Sequence, residues 1–327
     1  MKILVLTAAE VRRAIRMQAA IDIMKEAFRD LSTGSAQAPL RSKISVNGSN
    51  GTILLMPAIT NSNLAIKVVS VFGNNPSRAL PLIHAIIMVL DTATGQPIAL
   101  LEGGSITAIR TGAASGAATD ILARKDANSV AIIGSGVQAR TQLEAVCTVR
   151  NIKTVWIFSP NTKHAEYFAS EMGGKDSIPQ AINVVTSSMV AVQNADIICT
   201  ATTSNTPVFD GADIKKGTHI NAIGSFTPEM QEVDSETISK SLVVVDSRQS
   251  VLSESGDLII PIEAGKVKED HIHAELGEII SNKISGRTNP DQITYFKSCG
   301  VAVQDVAAAQ IAVEEAKLLG LGTVVSL

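Results

Sequence analysis

Ser129-Val130-Ala131-Ile132-Ile133-Gly134-Ser135-Gly136-Val137-Gln138-Ala139 is the stretch on which the fold turns. A continuous apolar run is followed at once by a Gly-x-Gly-x-x-Ala string, which opens a helical segment reaching Val149. That order is what a phosphate-cradling turn needs. Gly134 permits the tight turn, and Gly136 removes the Cβ that would block a pyrophosphate. Ala139 lets helix and strand pack closely. The first N–H groups of the helix then face the phosphates. Gly134, Gly136, Val137, Gln138 and Ala139 are therefore candidate contacts to a dinucleotide.

Downstream of the loop, apolar runs alternate with helical segments: Thr154 to Phe158, Ile182 to Val185, Asp196 to Cys199, His219 to Ile223 and Leu242 to Val245. Such alternation predicts a Rossmann-type doubly wound parallel sheet with helices on both faces. Upstream the period differs. Thr7 with Glu10 is a capping-box signature, Ile21, Met24, Phe28 and Leu31 recur at helical spacing, and Gly34 offers a C-cap, so the chain is expected to open with helix. Thr52 to Met56, Leu64 to Ser70, Ile83 to Asp91 and Pro97 to Glu102, separated by turn clusters, predict a mostly antiparallel sheet. A small-residue helix, Arg110 to Arg124, and a final helix, Asp305 to Leu319, complete the pattern. The expected α/β organisation is a dinucleotide-binding domain over 113–304, inserted into an α+β domain built from 1–112 plus 305–327.

The composition excludes several function classes. A chain of 327 residues suggests two domains with a large core, and 45% apolar content with 18% charge is far from the disordered regime. A formal charge of −3 gives no field for a polyanion, and the densest basic run, Arg12, Arg13 and Arg16, reads as a solvated helix face. Cys147, Cys199 and Cys299 are widely spaced with no CxxC pattern, which argues against a disulfide framework or zinc knuckle and fits a reducing cytoplasm. MKILVLTAAEVRR has too short an apolar run for a secretion signal, and no stretch has the length of a membrane span, so a soluble protein is expected. His271 and His273 form an HxH pair in what reads as a charged loop entering a helix, with no third ligand near in sequence, so no metal is expected. His84 and His219 read as satisfied core histidines, and Cys147 as packing.

A dinucleotide site selective for NAD usually carries Asp or Glu at the tip of the second strand. Here the tip reads Phe158-Ser159-Pro160-Asn161-Thr162-Lys163 and has no carboxylate. Ser159, Asn161 and Thr162 can donate to a 2′-phosphate and Lys163 can neutralise it, which predicts a preference for NADP(H) with NAD(H) as the other usable form.

The chain resembles the ornithine cyclodeaminase and mu-crystallin family, which also includes an archaeal type of alanine dehydrogenase and cyclic-imine reductases. The resemblance runs almost the whole length and rests on ordered motifs: Met56-Pro57-Ala58, Lys67-Val68-Val69, Asp91 to Gly95 with Pro97, Ile106 to Ala114, Gly134 to Ala139, Asn221 to Gly224, and Ser298-Cys299-Gly300-Val301-Ala302-Val303-Gln304-Asp305. It implies a homodimer whose N-terminal sheet forms both the subunit interface and the substrate pocket. By the same resemblance Arg41, Lys67 and Arg110 look like the cations that hold the substrate carboxylate and polarise its α-carbon. Thr111 and Ser298 look like nicotinamide or phosphate contacts, Thr200 joins the cofactor contacts, and Cys299 lies beside the reacting centre without being a nucleophile. The chemistry agrees, since arginine offers a carboxylate a fork and lysine a point charge. Lys67 also interrupts an apolar strand, where a charge is costly unless paired.

One position departs from the cyclodeaminases, which carry an aspartate two residues beyond the glycine corresponding to Gly224. Here it is Phe226, which can neither pair with an ammonium nor exchange a proton. Repeated proton transfer on two amines is thus disfavoured, and an apolar wall suits the methylene face of a ring. The expected reaction is reduction of a C=N bond next to a carboxylate, Δ1-pyrroline-2-carboxylate to L-proline, with an alanine-dehydrogenase-like reaction using the same bond chemistry. The rivals are redox-neutral ornithine cyclodeamination and a mu-crystallin-like protein that binds NADPH and a small ligand without turnover.

Overall fold

A computed structural model describes every residue of 1–327 except Ser62, and of Pro76 the backbone alone. The chain divides into two compact units, Met1–Arg110 with Val301–Leu327, and Thr111–Gly300. These cuts fall after Arg110 and after Gly300, where the sequence placed them after 112 and 304.

The first unit begins with a strand, β1 (Lys2–Leu6), and only then α1 (Ala8–Ala14) and α2 (Met17–Thr33). The expectation that the chain opens with helix is corrected here. Lys2 to Leu6, the apolar run too short for a secretion signal, is a strand because it pairs in parallel along the segment Pro97–Glu102. The Thr7 backbone N–H and hydroxyl both donate to Glu10, at 2.9 and 2.7 Å, which starts α1 as the capping signature requires. α2 ends at Gly34 in the left-handed conformation, φ 78°. Then come β2 (Ser42–Val46), β3 (Gly51–Ile59), β4 (Leu64–Phe72), β5 (Ile83–Leu90) and β6 (Pro97–Glu102), followed by α3 (Gly103–Leu122), whose first eight positions belong to this unit.

Strands β2 to β6 form an antiparallel meander, and β1 joins β6 in parallel. Alternation decides the faces. In β5, Ala85, Ile87 and Val89 are buried whereas His84 and Ile86 are exposed, so His84 is not the core histidine expected from its apolar strand. It shares the outward face with Ile86, and that face includes half-buried Ile66, Val68, Met88 and Leu100.

The second unit is an eight-stranded, wholly parallel sheet: β7 (Ser129–Ile133), β8 (Thr154–Phe158), β9 (Ile182–Val184), β10 (Ile197–Thr200), β11 (His219–Ala222), β12 (Ser241–Val245), β13 (Ile272–Glu275) and β14 (Ile293–Lys297). Its order is β13-β12-β14-β11-β10-β7-β8-β9. The chain leaves β7 toward β8 on one side and returns to β10 on the other, which makes the end of β7 a topological switch point, where ligands of such sheets bind. Around it lie α4 (Val137–Val149), α5 (Thr162–Met172), α6 (Ser188–Gln193), α7 (Ser235–Lys240), α8 (Arg248–Glu254), α9 (Gly256–Glu263) and α10 (Leu276–Ile280). The small residues of α3 have a visible use within this unit, because a Cβ on Gly112 would stand 2.5 Å from the Thr141 carbonyl oxygen. Helix α3 therefore lies against α4 at a distance only glycine allows.

The charged loop expected around His271 is in part the strand β13, paired with β12. His271 and His273 each bond a backbone carbonyl, Ile238 and Ser285, at 2.8 Å, and no cluster of metal-ligating side chains occurs among the described residues. His219 is buried between Thr294 and Asn221, as expected, and burial pushes its pKa down to about 3. The last elements, α11 (Ala302–Leu319) and β15 (Thr323–Ser326), belong to the first unit; α11 packs on α2 and on β3, β4 and β5, and β15 pairs with β1. No helix among the described residues is long and apolar enough to cross a membrane.

Candidate active site

In the first unit, β4 carries Lys67 on its buried face, level with Met56 of β3 and Ile87 of β5. A buried ammonium costs several kcal/mol unless it is paired. The partner is Asp305 on the first turn of α11: Lys67 Nζ lies 2.6 Å from its Oδ2. The other oxygen, Oδ1, accepts from Arg110 Nε of α3 at 3.1 Å, and Arg110 Nη1 donates to Gln304 Oε1 at 2.5 Å. One carboxylate thus joins two cations from separate elements, and all three groups are about 95% buried or more. Arg41, immediately before β2 and half-buried, acts electrostatically on both Lys67 and Asp305. The three cations expected to hold a carboxylate are therefore brought together by the structure.

The electrostatics follow from this geometry. Burial pushes Lys67 down most strongly and Asp305 pulls it back, while Arg110 and then Arg41 lower it further; the balance leaves its pKa at about 8 instead of 10.5. Burial raises the Asp305 carboxyl, but Lys67 and Arg110 outweigh this and hold it below the usual range. Lysine and aspartate are both charged near neutrality, with the lysine poised to release its proton in mild alkali. Arg110 Nε and Nη1 are thus both committed to acceptors of the protein, Asp305 and Gln304.

In the second unit the glycine loop satisfies what a dinucleotide needs. Gly134 has φ 104°, and a Cβ there would stand 2.5 Å from the Ala201 carbonyl oxygen, whereas a Cβ on Gly136 would project into open space. Gly136 is the N-cap of α4, a helix of 13 residues whose first N–H groups open on that space. Ala139 is fully buried beneath the loop, Val137 is exposed and Gln138 half-buried. Arg140, which drew no attention in the sequence, donates from Nη1 to the Ser135 and Gly136 carbonyls at 2.8 and 2.9 Å and pairs with Glu171. It holds the loop carbonyls to the protein. At the β8 tip, Ser135 Oγ donates to Ser159 Oγ at 3.0 Å, Asn161 caps α5 by accepting from the Lys163 backbone N–H at 3.1 Å, and Thr162 and Lys163 are exposed.

Other expected contacts are less simply placed. Ser298 Oγ donates to Asp246 at 2.9 Å, and the Gly300 N–H donates to the same oxygen at 2.7 Å, so the Ser298–Gly300 loop is fixed by the aspartate that follows β12. Thr111 is buried and its carbonyl accepts from Gln142 Nε2 at 3.3 Å. Thr200, expected among the cofactor contacts, is fully buried and its hydroxyl donates to Glu232 at 2.8 Å. Glu232 also accepts from the Thr202 and Gly224 N–H groups, each at 2.6 Å, tying together the ends of β10 and β11. Beneath it, Asp257 accepts from Lys297 Nζ, Tyr295 Oη and the Glu232 and Val233 N–H groups. Burial opposes the Lys297 charge most strongly, but Asp257, Cys299 and Glu232 together outweigh it and raise its pKa. Cys299 is half-buried beside these groups and acts electrostatically on Lys297 and Tyr295, and Phe226 is 43% exposed on the loop after β11.

A parallel sheet with a glycine cradle at its switch point, in one chain with a buried cluster of cations, defines a dinucleotide-dependent oxidoreductase. The chain belongs to the ornithine cyclodeaminase/mu-crystallin family, whose model matches residues 1–318. It is 40% identical over 322 residues to a Δ1-pyrroline-2-carboxylate reductase of Bacillus cereus, covering 98% of each chain. The solved structure of Thermococcus litoralis Δ1-pyrroline-2-carboxylate reductase in complex with NADH and L-proline is 47% identical, with a TM-score of 0.94 over 98% of this chain and 99% of that one. An archaeal alanine dehydrogenase dimer with bound NAD is 33% identical, with a TM-score of 0.93 over the whole of both chains.

Gly136 separates binding from folding. Gly136→Val is expected to leave the melting temperature of the ligand-free protein unchanged, because its Cβ meets nothing, while weakening NADH binding by at least about tenfold in a fluorescence titration, through loss of close backbone approach to the pyrophosphate.

Proposed function

We propose that the protein reduces a cyclic ketimine carboxylate with NAD(P)H, converting Δ1-pyrroline-2-carboxylate to L-proline. The observation that carries the reading is the buried Lys67–Asp305–Arg110 cluster, in which two cations share one carboxylate and so favour a second anion. The named relatives at 40 and 47% identity support the substrate. Arg110 and Arg41 hold the substrate carboxylate. Lys67 gives its Nζ proton to the imine nitrogen, which makes the adjoining carbon electrophilic, and regains a proton from water. When bound, NAD(P)H supplies the hydride that this carbon accepts, so the C=N bond becomes CH–NH and NAD(P)+ is released. A lysine with a pKa of about 8 suits this role, since its proton is both present and transferable near neutrality.

Phe226 supports the reductase over the cyclodeaminase, because that loop position offers no carboxylate to a second amine. For the cofactor, the proposal is preference for NADPH with NADH also accepted, resting on Ser159, Asn161, Thr162 and Lys163 at a strand tip without an acid. The working form is taken to be a homodimer in the cytoplasm. The outward face of the first sheet, with Ile66, Val68, Ile86, Met88 and Leu100, is the apolar surface a second copy would cover.

A panel of cyclic imines and of 2-oxo acids with ammonia, assayed with NADH and NADPH separately, tests the reading. The expected result is turnover of pyrroline-2-carboxylate, with kcat/KM falling as pH rises through about 8, as Lys67 loses its proton. Lys163→Ala is expected to reduce the NADPH preference. Robust ammonia release from L-ornithine without added cofactor would refute the reductase, and ligand binding without NADPH oxidation would favour a binding protein. Ile86→Asp is expected to shift the full-length chain from dimer to monomer in sedimentation equilibrium; an unchanged mass refutes the assigned face.

A further inference from the structure

The carboxylate of Asp305 lies between the two cations to which the reaction has been assigned, and it is contributed by a different element from either of them. Its two oxygens are divided, Oδ2 to Lys67 Nζ at 2.6 Å and Oδ1 to Arg110 Nε at 3.1 Å. It stands on the first turn of α11, immediately after Gln304, whose Oε1 accepts from Arg110 Nη1. Gln304 also accepts from the Val301 N–H at 3.3 Å, so the same turn that starts the helix fixes the guanidinium. Lys67 comes from a mid-strand position and Arg110 from a helix interior, so the carboxylate is the bridge that sets the spacing between them. Asp305 is only 1% exposed, which leaves it little freedom to bind substrate itself.

We infer that Asp305 is a positioning residue of the reductase: its split carboxylate fixes Lys67 Nζ and Arg110 as one anion-binding, proton-donating pair and keeps the lysine charged inside the protein. The inference rests on the proposed reduction of a cyclic imine. Among the described residues, the charged groups acting on Lys67 are Asp305 from α11, Arg110 from α3 and Arg41 before β2, while its neighbours on β3 and β5, Met56 and Ile87, are apolar. Asp305 is the only one of those three charged groups that favours the ammonium; both arginines oppose it. Removing its charge therefore moves the lysine's loss of proton to lower pH. A change that keeps the charge but displaces it leaves the titration near its place and disturbs the geometry alone.

Asp305→Asn and Asp305→Glu separate these two parts. For D305N, the expected result is a fall in kcat of at least a hundredfold with pyrroline-2-carboxylate and an alkaline limb of kcat/KM moved by at least one pH unit toward acid. For D305E, the alkaline limb is expected to stay within half a unit of the wild type while kcat falls at least tenfold and KM changes less than threefold. A D305N enzyme with an unmoved alkaline limb overturns the inference, and so does a D305E enzyme with wild-type kcat. If D305N does not accumulate as folded protein, the D305E result decides. Failure of the reductase reading shows separately, as a wild type inert toward every cyclic imine. In that event the planar anion pyrrole-2-carboxylate is titrated calorimetrically into the NAD-loaded protein across pH. Affinity lost through about pH 8 in the wild type, and at lower pH in D305N, sustains the positioning role. Affinity indifferent to the substitution ends it.

Discussion

A single buried carboxylate, Asp305, is the constraint around which the first unit is arranged. Two cations cannot be withdrawn from water in one apolar layer without an anion between them. Lys67 interrupts the buried face of β4, Arg110 is buried within the small-residue helix α3, and both become tolerable only when α11 lies across β3, β4 and β5. The final helix is thus the element that neutralises the site as well as a cover for the sheet. Two cations on one carboxylate leave an excess of positive charge, which is what the proposed receptor for a small acid requires.

The second unit follows the same rule with different residues. Glu232 receives the Thr202 and Gly224 N–H groups and the Thr200 hydroxyl, and Asp257 receives Lys297, Tyr295 and two backbone N–H groups. The strand ends at which the sheet binds ligands are therefore held by buried acids whose acceptor sites are filled by the protein. Arg140 does similar work for the glycine loop from the opposite charge. Loops fixed in this way stand ready for a cofactor with little reorganisation, a requirement for any site whose chemistry depends on placement.

Much of this was legible in the residues. The switch from alternating to continuous apolar runs near Ser129 gives the change from antiparallel to parallel sheet, and the Gly134 to Ala139 loop gives the switch point. What escaped depended on pairing over long sequence separations. Lys2 to Leu6 is too short to be read as a strand alone and becomes one because β6 and β15 flank it. His84 lies in an apolar strand, yet period-two alternation turns it outward. Ile293 to Lys297 and Ile272 to Glu275 carry Lys297, Glu275 and His273 within the strands, and only partners such as Asp257 make Lys297 acceptable in a core. Asp305 was visible as the start of the last helix and as part of a motif, but an acid in a first helical turn is commonly there for the helix dipole. Its ion pairs with Lys67 and Arg110 join residues far apart in sequence, and no local pattern announces them. The Thr200 hydroxyl, at a strand end, looks available in the sequence until its buried acceptor, Glu232, is found.

The central claim, that the Lys67, Arg110 and Arg41 cations around Asp305 form the receptor for a small imino or amino acid, is tested most directly by a crystal structure of the protein with L-proline and oxidised cofactor. The account predicts the proline carboxylate within hydrogen-bond distance of Arg110 and Arg41 and the ring nitrogen within reach of Lys67 Nζ, with Asp305 still bridging the two buried cations. Proline bound with its carboxylate away from these side chains would contradict it.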